Sequence, residues 1–479
     1  MIESIYAQLR FGYSVLSGRP FSLRALERMV DSLAATRSEF GSVGKAGAEL
    51  VGGPSLSGPA LRDLQTRRLR MVARRAARET PYYGGLFQSL ELDPDRLGLD
   101  DFRRVPLTPK SALMERPASF VRSGASPAFL TTSTGTTGTP TQVLFSANEI
   151  QQTVLLNAIT SLVHDIIGPE DVIQVNTSSR ATLGNQCFTR SCERLGAMWY
   201  LAGLVDPKLS LRLLTQARPT PGKHPRASYI SAYPSYLGQM VTHGLASGMR
   251  PTDFGLHTVS IGGEVVTEGL QRRAMTLFGD VRYVGGYAMT ETWPFGGQQC
   301  EEGHLHFEPG SGLLEILDPD TNEPAAPGAI GKIVATPFPP YRDASVVLRY
   351  DTGDLVRALP GPQTCSKRHM PATSAILGKR HLSLHHDSGW TTPRDVLESV
   401  EGVDAVPLPG RVAYWLDGRA VAAQVVAPGA TRADHREVGQ ALESRGVPLK
   451  SLELVEDPGL LRSPIPLRGD LRELSFQGA

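Results

Sequence analysis

Hydrophobic residues recur along the central part of the chain in short β-branched runs separated by amphipathic stretches. Between residues 130 and 360 the runs are DVIQVNTS, ASYISAY, LHTVSIGG and DVRYVGGY, and polar or helical sequence follows each of them. Strand-like runs that alternate with helical segments are typical of α/β layers. We therefore predict a large N-terminal α/β domain of stacked sheets and helices over residues 1–377.

The pattern changes in residues 378–479. The run RVAYWLDGRAVAAQVVA predicts a hairpin that turns at Asp417-Gly418. The run TRADHREVGQALESRG predicts a helix with Thr431 as its N-cap and Gly446 as its stop, and SLELVED predicts a further strand. Together these elements indicate a small α+β C-terminal lid domain.

Near the N-terminus the pattern predicts helices and a loop. Residues 1–40 predict amphipathic helices, and residues 61–79 predict a helix with Arg-rich faces. No aromatic residue interleaves with these arginines, so a solvated surface is favoured over a nucleic-acid site. The Gly-, Ser- and Pro-rich residues 41–60 predict a loop or linker.

Composition narrows the class of protein. The chain has 479 residues, 41% of them apolar, and a formal net charge of +1, which does not favour a nucleic-acid binder. Four cysteines in a chain of this length favour a reducing compartment over a disulfide scaffold. The N-terminal MIESIYAQLRFGYS does not resemble a signal peptide, and no run reaches the ~18 apolar residues of a membrane span. We expect a cytoplasmic protein with no membrane partner.

The segment TTSTGTTGTP, residues 131–140, combines hydroxyl side chains with two glycines and a proline. Glycines let main-chain N–H groups approach an anion, and hydroxyls add donors without bulk. The segment lacks the G-K-[ST] ending of a P-loop and the G-x-G-x-x-G of a dinucleotide loop. A phosphate cradle and a flexible linker are therefore both open. The cradle residues would be Thr132, Ser133, Gly135, Thr136, Thr137 and Gly138.

Companion segments make the chain resemble the AMP-forming adenylating superfamily, which includes the acyl-CoA synthetases. The stretch 133–141 resembles its phosphate loop. In the same order as in that family follow YISAYPSYLGQM, IGGEVV, GGYAMTET, LRYDTGDLVR and a hinge segment that begins LGKRHLSLHH. The upstream TPYYGGLF and VPLTPKSALMER resemble the phenylacetate–coenzyme A ligase branch.

The resemblance implies roles for individual residues. It implies that Thr290 donates to the α-phosphate of ATP, that Glu291 carries Mg²⁺, and that Asp354 accepts from the ribose hydroxyls. It places Gly262, Gly263 and Glu264 at the edge of the adenine, with Tyr287 stacked on it. The substrate side would comprise Tyr233, Pro234, Ser235, Tyr236, Gly286 and Ala288.

Some positions depart from the family pattern. Ala288 replaces the usual Gly, and the hinge Arg is Lys379, which keeps the charge without the guanidinium fork. The hinge acid falls at His381. Asp470 stands where the family has a Lys that bridges carboxylate and phosphate. Lys379 is retained as a candidate catalytic residue.

Two short Cys/His clusters suggest a structural zinc site. They are Cys300-x₃-His304-x-His306 and Cys365-x₃-His369. Two thiolates and two imidazoles suit structural zinc, so the candidate ligands are Cys300, His306, Cys365 and His369. Chance proximity along the sequence is the alternative. Cys187 and Cys192 are expected to be buried as small hydrophobic residues.

The resemblance implies Mg-ATP-dependent adenylation of an anionic, aromatic carboxylate, with release of pyrophosphate. The acyl group would then pass to a thiol of coenzyme A or of a carrier protein, and a monomer or homodimer is expected. One alternative is activation of nitrite to diazotise an aryl amine, which the absence of the bridging Lys favours. An acyl-adenylate route to an amide or ester, and a degenerate nucleotide-binding protein without catalysis, are the others.

Overall fold

The computed structural model describes residues 2–44, 58–133, 141–178 and 182–462. The α-helices in these ranges are α1 (Ile2–Ser17), α2 (Leu23–Phe40), α3 (Gly58–Glu79), α4 (Pro81–Ser89), α5 (Lys110–Glu115), α6 (Ala147–Val163), α7 (Thr182–Arg194), α8 (Pro207–Thr215), α9 (Pro234–Ala246), α10 (Glu268–Phe278), α11 (Pro393–Glu401) and α12 (Arg432–Ser444).

The strands in the same ranges are β1 (Pro127–Thr132), β2 (Gln142–Ser146), β3 (Val172–Asn176), β4 (Met198–Leu201), β5 (Tyr229–Ala232), β6 (Thr258–Ile261), β7 (Arg282–Tyr287), β8 (Gly297–Gln299), β9 (Leu305–Phe307), β10 (Gly312–Leu317), β11 (Ile330–Pro337), β12 (Tyr350–Arg357), β13 (Ala372–Thr373), β14 (Gly378–Lys379), β15 (Leu384–His386), β16 (Gly389–Thr391), β17 (Val412–Asp417), β18 (Ala420–Val426) and β19 (Leu449–Val455).

The largest sheet in the described residues is parallel from β7 to its edge strand β4. Its described strand order is β13-β9-β8-β7-β6-β5-β3-β4, and β4, β3, β5, β6 and β7 run parallel to one another. Strand β3 is buried at every position, as expected for a strand covered on both faces. The four predicted β-branched runs correspond to β3, β5, β6 and β7, so the predicted α/β fold class is confirmed.

Helices pack against this sheet through separate hydrophobic clusters. One cluster joins α2 and α6 to β3, and another joins α9 and α10 to β5 and β6. Helix α9 begins with a proline at its first turn, where the missing N–H costs no hydrogen bond. Helix α10 is capped by Thr267, whose side chain accepts from the Leu270 N–H. These caps fix where the preceding loops end.

A second sheet, in the order β10-β11-β12-β14, lies beside the first. Arg349, just before β12, has a positive φ of 45° and is nearly buried. Its guanidinium makes a two-point salt bridge to Glu315, with distances of 3.0 and 2.9 Å, and donates to two main-chain carbonyls. The contacts of the Arg349 guanidinium stabilise the turn that leads into β12.

The C-terminal elements form their own core. Strands β17, β18 and β19 make a three-stranded sheet in the described residues, and α11 and α12 pack on it through Val400, Val438 and Leu442. The predicted hairpin is confirmed, with Gly418 at φ 70°. The predicted helix is also confirmed, since Thr431 forms a capping box with Asp434 at the start of α12.

Some sequence-based expectations fall outside the described residues. These include most of the predicted 41–60 loop, Gly135, Thr136, Thr137 and Gly138, and the segment that holds Asp470. Among the helices that the structure describes, none combines the length and hydropathy that a bilayer-spanning segment needs.

Candidate active site

The candidate active site lies where parallel strands of the large sheet end. Tyr233 follows β5, Gly262 and Gly263 follow β6, and Thr290 and Glu291 lie in the turn after β7. Parallel strands place their carboxyl ends at one edge, which is where open α/β sheets bind ligands. The family-like segments of the sequence therefore meet at one edge of the sheet.

Asp354 joins this edge to the second sheet. The Tyr287 hydroxyl donates to Asp354 Oδ2 at 2.8 Å, and Lys379 Nζ donates to the same oxygen at 2.8 Å. Antiparallel pairing of β12 with β14 places Lys379 directly opposite Asp354. Lys379 Nζ also donates to the Thr352 carbonyl at 3.1 Å. The lysine at this hinge position therefore reaches the site as a single point charge.

The Asp354 side chain is only 7% exposed. Within the described ranges, both hydrogen bonds that it accepts end on Oδ2, which leaves Oδ1 for a ligand. Burial, followed by the adjacent Asp354 charge, raises the pKa of the Tyr287 phenol well above its usual value. Tyr287 therefore remains a hydrogen-bond donor at neutral pH.

Glu264 and Ser235 bind each other across the site. The Ser235 main-chain N–H and hydroxyl donate to the two Glu264 carboxylate oxygens at 2.9 and 2.7 Å. The carboxylate thus satisfies the N-terminus of α9, where a negative charge also favours the helix dipole. Glu264 fixes the turn after β6 against α9, a positioning role in addition to the expected adenine edge.

Tyr236, which is expected on the substrate side, is buried in the structure. Its side chain is 2% exposed, packs in the core of α9, and donates to the Val205 carbonyl at 2.7 Å. Tyr236 lies in the first turn of α9, and its ring packs in the hydrophobic cluster that joins α9 and α10 to β5 and β6. Its assignment to the substrate side stays a prediction. Pro234 is buried at the first turn of the same helix.

Tyr233 and Gly263 approach each other closely at the mouth of the site. Gly263 has φ 85°, and a Cβ there would lie 3.2 Å from the Tyr233 ring. Gly286 is constrained differently, because a Cβ there would lie 2.7 Å from the Gly297 carbonyl on β8. Gly286 and Ala288 flank Tyr287 and are exposed. Small residues at these positions keep the surface around Tyr287 open.

Glu291 is 2% exposed, and its Oε1 atom has no hydrogen-bond partner among the described residues. Burial, with the neighbouring Glu291 charge next, raises the pKa of the Tyr350 phenol above its usual range. A buried carboxylate oxygen without a donor is costly unless a ligand satisfies it. Thr290 precedes it in the same turn and is half-buried.

The Thr/Gly segment is described only at its two ends. Strands β1 and β2 pair antiparallel up to Thr132 opposite Gln142. The Ser133 N–H donates to the Thr141 carbonyl at 2.9 Å, and the Thr141 N–H donates to Ser133 Oγ at 3.1 Å. The strands therefore fix the two ends of this segment side by side.

The Cys/His prediction is partly corrected. Cys300, His306 and Cys365 come together, with Cys365 Sγ 3.1 Å from His306 Nε2. His304, and not the expected His369, completes the group whose ligand atoms all lie within 4.8 Å of one another. Strands β8 and β9 form a tight hairpin that carries Cys300, His304 and His306 together, whereas His369 lies beyond a turn after Cys365. Cys187 and Cys192 are buried, and burial raises the pKa of each thiol to about 12.

Sequence reasoning missed a second group, formed by Asp171, His224 and His257. These residues share no motif and lie far apart in the sequence. The available signal is positional, because Asp171 and His257 each lie at the start of a predicted strand run, DVIQVNTS and LHTVSIGG. Amino ends of neighbouring parallel strands lie at one edge of a sheet.

The sequence is similar to known enzymes along much of its length. The AMP-binding enzyme family matches residues 92–336, just over half of the chain. The phenylacetate-coenzyme A ligase of Thermus thermophilus is 27% identical over 331 residues, which cover 67% of this chain and 70% of that ligase. The phenylacetate-coenzyme A ligase of Escherichia coli is 27% identical over 325 residues, which cover 64% and 69%.

The fold is similar to those of solved structures. A 2-hydroxyisobutyryl-CoA ligase in its postadenylation state, in complex with 2-HIB-AMP, superposes with a TM-score of 0.69 at 18% identity. The superposition covers 86% of this chain and 90% of that ligase. The two chains therefore share a fold over most of their lengths.

Proposed function

The chain belongs to the AMP-binding enzyme family, and from that premise we propose that it is an AMP-forming ligase. It activates a carboxylic acid with ATP as an acyl-adenylate, releases pyrophosphate, and transfers the acyl group to the thiol of coenzyme A. Similarity to phenylacetate-coenzyme A ligases supports the acid and thiol classes.

The observation that carries this proposal is the arrangement around Asp354. A nearly buried carboxylate, held on one oxygen by Tyr287 and Lys379, keeps its second oxygen for a ligand. A vicinal diol such as a ribose offers two donors to a carboxylate, and charge-assisted hydrogen bonds are the stronger kind. Tyr287 and the Gly262-Gly263 turn then border the adenine.

Glu291 fits a divalent cation. Its buried Oε1 atom has no donor in the described residues, and hard oxygen ligands are the ones that Mg²⁺ prefers. When bound, Mg²⁺ would neutralise charge on the ATP phosphates. Thr290, one residue before Glu291, would supply a hydroxyl to the α-phosphate.

The two steps balance as follows. A carboxylate oxygen attacks the α-phosphorus, and the bond from that phosphorus to the pyrophosphate oxygen breaks. The coenzyme A thiolate then attacks the acyl carbon, and AMP leaves with the bonding electrons. Thr290 and the hydroxyl-rich segment after Ser133 would donate to the phosphate oxygens that gain charge in the first step.

For the substrate we propose an aromatic carboxylic acid. The half-buried Tyr233 ring stands beside Gly263 at the edge of the site and offers a flat apolar surface. The comparisons give no support to nitrite activation, and the relatives named above are ligases of carboxylic acids.

Isotope exchange between pyrophosphate and ATP tests the first step. Exchange should depend on an aryl carboxylic acid, require Mg²⁺ and proceed without coenzyme A. Glu291→Gln should reduce its rate by about 100-fold or more, as the removal of one charge-stabilising group does in other enzymes. Exchange that is independent of acid, or that responds to nitrite alone, would refute the proposal.

We further propose that Cys300, His304, His306 and Cys365 hold structural zinc. Two thiols and two imidazoles within 4.8 Å match a closed tetrahedral site. The ion would tie the β8–β9 hairpin to the segment before β13. Cys365→Ser should lose about one equivalent of zinc and lower the melting temperature. Zinc-free protein of unchanged stability would exclude this site.

A further inference from the structure

A second cluster of metal-binding side chains lies at the opposite edge of the large sheet. Asp171 directly precedes β3, and His257 directly precedes β6. Since the strands are parallel, these amino ends lie at the edge away from the Gly262-Gly263 turn. Gly262 is five residue steps along the extended chain from His257, roughly 16 Å. The cluster is therefore separate from the proposed nucleotide site.

The three side chains converge on one oxygen atom. His257 Nε2 lies 2.7 Å from Asp171 Oδ1, and His224 Nε2 lies 3.9 Å from the same oxygen. The imidazole planes are inclined at 68°, with ring centroids 5.8 Å apart. One ligand atom of each residue lies within 4.8 Å of the others. A hydrogen-bonded His–Asp pair would explain the position of His257, but it would not explain why the His224 ring also lies beside Asp171.

The surroundings hold these groups in place. The Asp171 side chain is 3% exposed; Ser228 Oγ donates to its Oδ1 and the Gly168 N–H donates to its Oδ2, both at 2.7 Å. His257 Nδ1 lies 2.8 Å from Thr258 Oγ1, so its other nitrogen is the one directed at Asp171. Metal-binding histidines and carboxylates show this kind of outer support.

The main chain fixes His224. Its N–H donates to the Glu170 carbonyl at 2.9 Å, which anchors the loop before β5 to the residue before Asp171. The His224 and His257 side chains are 43% and 46% exposed. An ion at this position would therefore have protein on one side and water on the other.

We propose that Asp171, His224 and His257 bind a zinc ion. Two imidazoles and one carboxylate are a ligand set that zinc uses when a water molecule takes the fourth position. The ion would tie together the amino ends of β3 and β6 and the loop that leads into β5. It stabilises the sheet at the edge remote from the nucleotide.

Metal titration of the full-length protein tests this proposal. Chelator-treated protein is titrated with zinc, and the bound equivalents are counted for the wild type, His224→Gln and His257→Gln. His243→Gln, a histidine outside both clusters, is the matched control. Each cluster variant should lose about one equivalent, with affinity reduced by more than about 100-fold, since outer partners alone contribute 10- to 100-fold. Equal zinc content in all four proteins would overturn the site.

Cobalt distinguishes this site from the Cys/His group. Co²⁺ bound to Cys300 and Cys365 would show a thiolate charge-transfer band, whereas Co²⁺ on Asp171, His224 and His257 would not. His224→Gln should therefore remove bound cobalt without reducing the thiolate band. If the only cobalt bound is thiolate-linked, the proposal is wrong.

Melting temperatures show whether a variant loses zinc because a ligand is missing or because the protein is misfolded. Without metal, His224→Gln should melt at the wild-type temperature, because its half-exposed side chain fills no core. Added zinc should raise the melting temperature of Cys365→Ser protein but not of Cys365→Ser combined with His224→Gln. No zinc-dependent rise in Cys365→Ser protein would contradict the site.

Discussion

At the scale of single residues, Asp354 is the anchor proposed for the nucleotide. Asp354→Asn keeps the size of the side chain but removes the charge that binds a ribose diol. We expect nucleotide affinity to fall by about 1.5–3 kcal/mol, roughly 10- to 150-fold in Kd. Calorimetry with ATP measures the change. Asp404→Asn, a substitution of an exposed acid, is the control, and an unchanged Kd in Asp354→Asn would remove this residue from the site.

Gly263 permits a second residue-scale prediction. Gly263→Ala places a Cβ at φ 85° and 3.2 Å from the Tyr233 ring, so the ring must move. Gly418→Ala is matched, because its φ is 70° and no atom lies within 4 Å. Both variants should lose about 1–2 kcal/mol of stability from the backbone. Only Gly263→Ala should raise the KM for ATP or acid; equal kinetics in the two variants would contradict the assignment.

Candidate site residues that lie in recognisable motifs could be predicted from the sequence. The contacts that these residues make could not. The motif around Asp354 identified a candidate acid, but only the β12–β14 pairing shows Lys379 on the same carboxylate oxygen. Spacing placed His369 beside Cys365, while the β8–β9 hairpin brings His304 instead. Tyr236 is assigned to the substrate side through the resemblance of its segment, which does not show how deeply its side chain is buried.

At the scale of elements, the α10–α11 contact carries a pH dependence. Glu398 on α11 accepts from the Glu268 N–H at 3.0 Å and from Arg394 at 2.8 Å. Burial, opposed by the Arg394 charge, raises the pKa of Glu398 above its usual 4.5. The Glu398 carboxyl group therefore binds its proton more tightly in the folded chain than in the unfolded chain. Protonation of Glu398 stabilises the fold at low pH, and this stabilisation is lost as the pH rises through the folded pKa of Glu398.

Glu398→Gln removes this titration. Thermal unfolding of the wild type and the variant between pH 4.5 and 7 should show the melting temperature of the wild type falling relative to that of the variant as pH rises. Glu443→Gln, an exposed substitution on α12, should follow the wild-type curve. Parallel curves for wild type and Glu398→Gln would refute the assigned direction.

Regular elements were the part of the fold most accessible from sequence. Strong local signals, such as Thr431 as N-cap and the Asp417-Gly418 turn, identified α12 and the β17–β18 hairpin directly. The order of strands in the large sheet was not accessible, because pairing depends on contacts between distant segments. The β8–β9–β13 extension, which carries the Cys/His group, is the clearest example.

At the scale of the whole molecule, the division at residue 377 remains a prediction. A separate C-terminal hydrophobic core that includes Val400, Val412 and Leu442 supports it. Strand β14 nevertheless pairs with β12, so Lys379 is tied to the sheet of the large domain. Family membership rests on residues 92–336, which contain most of the candidate site but neither Asp354 nor Lys379.

Product analysis with Mg-ATP, an aryl carboxylic acid and coenzyme A tests the central claim most directly. An AMP-forming ligase must yield AMP, pyrophosphate and acyl-CoA in equal amounts, because each acyl transfer consumes one adenylate. Chromatography of the nucleotides and thioesters measures all three products. We predict this one-to-one-to-one ratio in the wild type and a strongly reduced yield in Asp354→Asn. ADP and phosphate as products, or ATP cleavage without an acid, would contradict the proposed function.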